Sequence, residues 1–140
     1  MMSCWRRVQN PGTRLLSVIK NGNGISQMKK GVMGGTFDPV HRGHLAIAEE
    51  AYHFLNLNQV IFVPAGHPYF KNLLEISPVE DRVQMLRLAI QDVPYFKLSL
   101  IEVQREGPSY TVDTLALLRE QSGDRDELYF IMGWDSLQAL

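Results

Sequence analysis

KGVMGGTFDPVHRGHL, residues 30–45, joins a strand to a helix through a pair of glycines. Lys30 to Gly34 reads as a short buried strand ending in Gly34-Gly35, and Asp38-Pro39 then breaks regularity and starts a turn. From about Gly43 to Leu55 the pattern becomes helical, with Leu45, Ala48, Ala51, Tyr52 and Leu55 near helical spacing. The chain therefore passes from a strand, through a segment able to bring backbone close to a ligand, into the start of a helix.

Outward from this stretch the same alternation continues. Gln59-Val60-Ile61-Phe62-Val63 is a continuous apolar strand, the composition expected when both faces of a sheet are covered. Pro64 to Ser77 reads as a long loop. A second helix is expected from about Pro78 to Ile90, with Ser77 as N-cap, Pro78 in the first helical position and Glu80 three residues after the cap. A third strand is expected over Phe96 to Ile101 and a third helix over Tyr110 to Glu120. Leu128-Tyr129-Phe130-Ile131-Met132 is a fourth strand, ending at Gly133. Strands alternating with helices specify an α/β fold, a parallel sheet with helices on both faces. Such sheets bind ligands beyond the carboxyl ends of their strands. Three features fall there: Gly34-Gly35-Thr36-Phe37, the loop from Pro64, and Gly133-Trp134-Asp135.

Residues 34–45 suit a phosphate, although Gly34-Gly35 can be only a tight turn and a histidine at a helix start only a cap. Gly34 and Gly35 let backbone approach a ligand. Thr36 and Phe37 are placed to present backbone N–H groups at the turn. His41 and His44, three apart at the opening of a helix, share a face. The helix N-terminus adds free N–H groups and partial positive charge, and Gly43 between the histidines keeps that surface low.

Composition narrows the partners. The chain has 140 residues, 14 Lys+Arg against 15 Asp+Glu, and a formal net charge of −1, with no electrostatic case for nucleic acid or a membrane surface. The single cysteine, Cys4, cannot form an internal disulfide, in keeping with a cytoplasmic protein. Residues 1–27 lack clear periodicity and read as a disordered N-terminal extension, with Met28 as the natural start and 28–140 as the domain.

Gly34-Gly35-Thr36-Phe37-Asp38-Pro39 followed by His41-Arg42-Gly43-His44 resembles the nucleotidyltransferase superfamily marked by a His-x-Gly-His signature. Ser109-Tyr110-Thr111-Val112-Asp113-Thr114-Leu115 and Phe130-Ile131-Met132-Gly133-Trp134-Asp135 are similar to segments of bacterial nicotinate-nucleotide adenylyltransferases. Val63-Pro64 with Pro68 and Lys71 resembles their P-x-x-x-P-x-x-K loop, although Tyr69-Phe70 stands where the family has Pro-His. The resemblance covers about Met28 to Leu140. It implies a Rossmann-like fold whose C-terminal elements, with a stacking tryptophan and an I-S-S-T-x-I-R segment, are missing from this stretch.

The activity implied is transfer of AMP from ATP to nicotinate mononucleotide, giving nicotinate adenine dinucleotide and pyrophosphate. His41 and His44 would act on the ATP phosphates, His44 stabilising the transition state. Gly34, Gly35, Thr36, Phe37, Gly133 and Asp135 would complete the ATP site, and Tyr110, Thr111 and Lys71 would face the mononucleotide. Mg²⁺ would bridge phosphates, held mostly by substrate and water. Several alternatives stay open. Asp135 can instead cap a helix, Tyr110 and Thr111 can simply start one, and Lys71 can be a solvated loop lysine. His53 and His67 read as structural, and Arg82, Arg87 and Arg105 as surface or ion-pairing residues. Phosphopantetheine adenylyltransferases share the glycine lead-in, cytidylyltransferases share the histidine signature, and an inactive nucleotide-binding fragment is a third alternative.

Overall fold

The computed structural model describes residues 4–7, 27–66, 75–105, 111–123 and 125–132; for 4–7, 111, 112 and 132 it describes the backbone alone. In chain order the elements are β1 (Cys4–Arg7), β2 (Lys29–Gly35), α1 (Arg42–Phe54), β3 (Gln59–Pro64), α2 (Val79–Ile90), β4 (Phe96–Leu98), α3 (Thr111–Gln121) and β5 (Glu127–Met132). The strands form one sheet in the order β1-β5-β2-β3-β4. β5, β2, β3 and β4 run parallel, whereas β1, inside the stretch read as an extension, pairs antiparallel with the outer side of β5. The α/β alternation read from the sequence is therefore present.

β2 lies centrally because its apolar residues serve both faces. Met33 points to a core shared with Phe62, Ile131, Ala48 and Ala51 of α1, and Leu86 and Ile90 of α2. Val32, one residue earlier and so on the opposite face, packs with Ile61, Val63, Leu128 and Leu118 of α3. Ala48 and Ala51 are completely buried and have only methyl groups, so α1 lies close against the sheet. Burying a side chain such as Phe62 or Leu86 contributes about 1.5–3 kcal/mol.

Two boundaries differ from expectation. α2 has Pro78, not Ser77, as its N-cap. Pro78 is extended at ψ 143°, and its carbonyl accepts from the Asp81 and Arg82 N–H groups, both at 3.1 Å. The Ser77 N–H instead donates to Asp38 Oδ2 at 2.9 Å, so Ser77 ties the approach to α2 to the turn after β2. β4 ends at Leu98 and does not reach Ile101. The Ser99 N–H makes the last bond to the Phe62 carbonyl, and the chain then turns, with Gln104 N–H donating to the Leu100 carbonyl.

Candidate active site

The turn between β2 and α1 is built from backbone first. Gly35 is the last residue of β2, and its carbonyl accepts the Ala65 N–H at 2.8 Å, so the carboxyl ends of β2 and β3 stay in register. Added Cβ atoms at Gly34 and Gly35 would meet their nearest neighbours at 3.8 Å and 3.5 Å, ordinary contact distances. Among the described residues, packing therefore does not require glycine at either position. Asp38–Pro39 is a cis peptide.

Phe37 has a role that the sequence reading missed. It was expected to offer backbone N–H, but its side chain is 2% exposed and its φ is +51°, in the left-handed region that non-glycine residues seldom occupy. Its ring packs edge-on against His44 at 4.9 Å between centroids and against Phe62 at 5.9 Å. A strained backbone position is thus compensated by a ring seated in the core, and that ring forms the floor beneath His44.

The two histidines cap α1 reciprocally. His41 is the N-cap, and its Nδ1 accepts from the Gly43 N–H at 3.0 Å. His44 Nδ1 accepts from the His41 N–H at 3.1 Å. The imidazoles stand 3.8 Å apart at 31°. A nitrogen that accepts a backbone N–H presents its lone pair, so hydrogen-bonding logic assigns the ring proton of each histidine to Nε2. Each ring uses one nitrogen to hold the helix start and carries its N–H donor on the other. The first turn of α1 contains no acidic residue, so no carboxylate of its own offsets the positive end of the helix dipole. Paired N–H donors above a helix N-terminus suit a phosphate chain.

Arg82 corrects the reading as a surface or ion-pairing residue. It is 2% exposed and makes its hydrogen bonds to backbone carbonyls: Nη1 to Thr36 at 3.0 Å and Ala65 at 2.7 Å, Nε to Ser77 at 3.0 Å. Burial pulls its pKa down from the ordinary arginine value, opposed by the charges of Asp38 and Glu80. Arg105 does form an ion pair, 3.5 Å from Asp113. His53 is exposed beside Glu49.

Gly34, Gly35, Thr36, Phe37, His41 and His44 thus occupy the end of β2, the turn beyond it and the first residues of α1. Thr111 is described only as the first residue of α3. Lys71, Tyr110, Gly133 and Asp135 lie outside the described residues, as does His67. Among the described residues no group of three or more His, Cys, Asp or Glu side chains could hold a metal ion, and no helix is long and apolar enough to cross a membrane.

Residues 32–140 match the family model described as cytidylyltransferase-like. A probable nicotinate-nucleotide adenylyltransferase of Dehalococcoides mccartyi is 52% identical over 113 residues, which cover 81% of this chain and 55% of the relative. One from Thermomicrobium roseum is 50% identical over 110 residues, covering 79% and 51%. The chain spans about half the length of these curated relatives. Among solved structures it resembles the Plasmodium falciparum nicotinic acid mononucleotide adenylyltransferase complexed with NaAD. That match has a TM-score of 0.61 at 18% identity, covers 74% of this chain and 51% of that one, and is a likeness of fold.

Proposed function

The chain belongs to the cytidylyltransferase-like family, and from that premise we propose that it carries the phosphate-handling half of an enzyme transferring AMP from ATP to nicotinate mononucleotide. The observation that carries this reading is the reciprocal histidine cap, which commits both Nδ1 atoms to the helix start and assigns a donor proton to both Nε2 atoms. The identity of about half to curated adenylyltransferases supports the choice of substrates.

In the reaction a 5′-phosphate oxygen of the mononucleotide attacks the α-phosphorus of ATP. A new P–O bond forms as the bond from the α-phosphorus to the α–β bridging oxygen breaks. Pyrophosphate leaves with that oxygen and its electron pair, and nicotinate adenine dinucleotide remains. Such transfer needs alignment and charge stabilisation more than covalent chemistry. His41 and His44 would donate from Nε2 to phosphate oxygens of ATP, His44 being fixed by the Phe37 ring. Gly34, Gly35 and Thr36 would let the triphosphate lie against backbone. Gly133 and Asp135 would complete the ATP site, and Tyr110, Thr111 and Lys71 would meet the mononucleotide. Mg²⁺ would enter with the ATP phosphates and neutralise their charge. The setting we assign is the cytoplasm.

The test is pyrophosphate release from ATP and Mg²⁺ by a protein of the relatives' full length, with nicotinate mononucleotide, nicotinamide mononucleotide or phosphopantetheine as acceptor. Release with the nicotinate acceptor, lost in His44→Ala, is expected. Release with phosphopantetheine alone would replace the proposed acceptor, and no release with any of the three would overturn adenylyl transfer to this group of substrates.

A further inference from the structure

Arg82 is buried beside the turn that the proposed function uses, yet nothing in that function employs it. Its guanidinium binds carbonyls from three separate segments: Thr36 in the turn after β2, Ala65 just after β3 and Ser77 on the approach to α2. We propose that Arg82 is a positioning residue for adenylyl transfer, fixing the Thr36–Phe37 peptide and, through Phe37, the ring of His44.

The coupling follows from geometry. In a planar trans peptide the C=O and the following N–H point in opposite directions. Holding the Thr36 carbonyl against Nη1 therefore turns the Phe37 N–H away from the guanidinium. The same bond restrains the entry to Phe37, whose left-handed φ of +51° would otherwise be free to relax. Phe37 must keep that conformation for its ring to lie edge-on to His44 at 4.9 Å. The grip on Ala65 adds the end of β3, and Ala65 in turn binds the Gly35 carbonyl. Arginine suits the task because one rigid planar fork reaches carbonyls in several directions. The ammonium of lysine is a point donor on a flexible stem and cannot reproduce that arrangement. Burial of the charge is tolerated because Nε and both hydrogens of Nη1 find backbone carbonyls.

The kinetic arm of the test rests on the adenylyltransferase reading; the spectroscopic arm does not. In the full-length protein Arg82→Lys is expected to lower kcat for pyrophosphate release on the order of 10-fold to 100-fold, the scale of a small misalignment, with KM for nicotinate mononucleotide near that of the wild type. The NMR signals of the Phe37 amide and the His44 ring should move in the same variant, and guanidinium ion should restore part of the activity of Arg82→Ala. Unmoved Phe37 and His44 signals in folded Arg82→Lys would overturn the positioning role whatever the kinetics, and so would moved signals with unchanged kcat. Should the wild type release no pyrophosphate, the adenylyltransferase reading fails while the signals still decide whether Arg82 sets the turn. Should Arg82→Lys not fold, the wild type answers through its Arg82 Nε–H signal. That signal should shift together with the Phe37 amide when ATP is added, and a signal indifferent to ATP would overturn the proposal.

Discussion

At Gly31 an added Cβ would lie 2.7 Å from Ile131 Cδ1 and 2.9 Å from Leu57 Cδ1; at Gly35, farther along the same strand, its nearest neighbour would be the Phe37 ring at 3.5 Å. Gly31 lies at the end of β2 where a side chain would push against the buried ends of Ile131 and Leu57. Nearby, Lys30 Nζ meets Asp126 at 3.0 Å and the Ser122 hydroxyl at 3.2 Å, and the Met28 N–H donates to Asp126 Oδ1. Gly35 belongs to the end where the described residues leave room. Glycine at one end is explained by described atoms of the fold; at the other no described atom requires it. The proposed function makes that second end the chemical one.

Substitutions should fall on one side or the other of that division. The largest expected effect is at the chemical end. His44→Ala should lower kcat/KM for adenylyl transfer on the order of 10²-fold to 10³-fold, while stability falls by only about 1 kcal/mol for the lost cap. Steady-state rates and thermal melts on the same preparation would separate the two. Gly31→Ala should reverse the pattern, costing about 1–2 kcal/mol through overpacking with activity per folded molecule unchanged. A melting temperature equal to the wild type would break the comparison. Gly35→Ala should leave stability within about 1 kcal/mol, since alanine loses less backbone entropy than glycine, yet weaken ATP binding measured by calorimetry; unaltered ATP affinity would remove the reason offered for that glycine.

The smallest effect sharpens the division with a group that stands apart from both glycines. Burial raises the Glu102 pKa above its ordinary value, against the lowering effects of the Thr114 hydroxyl, 2.6 Å away, and of Arg105. The folded protein therefore holds this proton more tightly than the unfolded chain does. The contribution of Glu102 to stability is fully present below the ordinary glutamate value, about pH 4.3, and is lost as pH rises through the window up to the raised folded value. Glu102→Gln keeps the hydrogen bond from Thr114 and should flatten that decline in melting temperature without changing activity. A decline as steep as that of the wild type would assign it to other groups.

The strand order could not be read from the sequence, but the alternation behind it could, because continuous apolar runs such as Val60–Val63 belong to strands covered on both faces. The His pair was legible for a similar reason: spacing alone puts His41 and His44 on one turn. What escaped were the residues whose roles depend on distant partners. Arg82 looks like any helical arginine until Thr36 and Ala65 are brought beside it, separated by 46 and 17 residues in the chain. Phe37 looks like a turn residue because its positive φ leaves no trace in composition. Pro78 stands as the cap in place of Ser77, whose N–H is held by Asp38 in a tertiary contact that no local pattern encodes. β1 is four residues long and pairs with a strand near the far end of the chain, so it carries no local signal either.

The pairing of β2 with β5 begins at Lys29 and Glu127, and the Met28 N–H donates to the Asp126 carboxylate across 98 residues. At a synthesis rate of about 5–20 residues per second, roughly 5–20 s pass between the emergence of one partner and that of the other. During that interval β2 can pair only with β3. By the end of β4 the ribosome has already delivered Thr36, Phe37, both histidines of the cap, Ala65 and Arg82. The turn after β2 is therefore built from residues synthesised early, and every residue of its Arg82 clasp is available while one side of the central strand still waits for its neighbour.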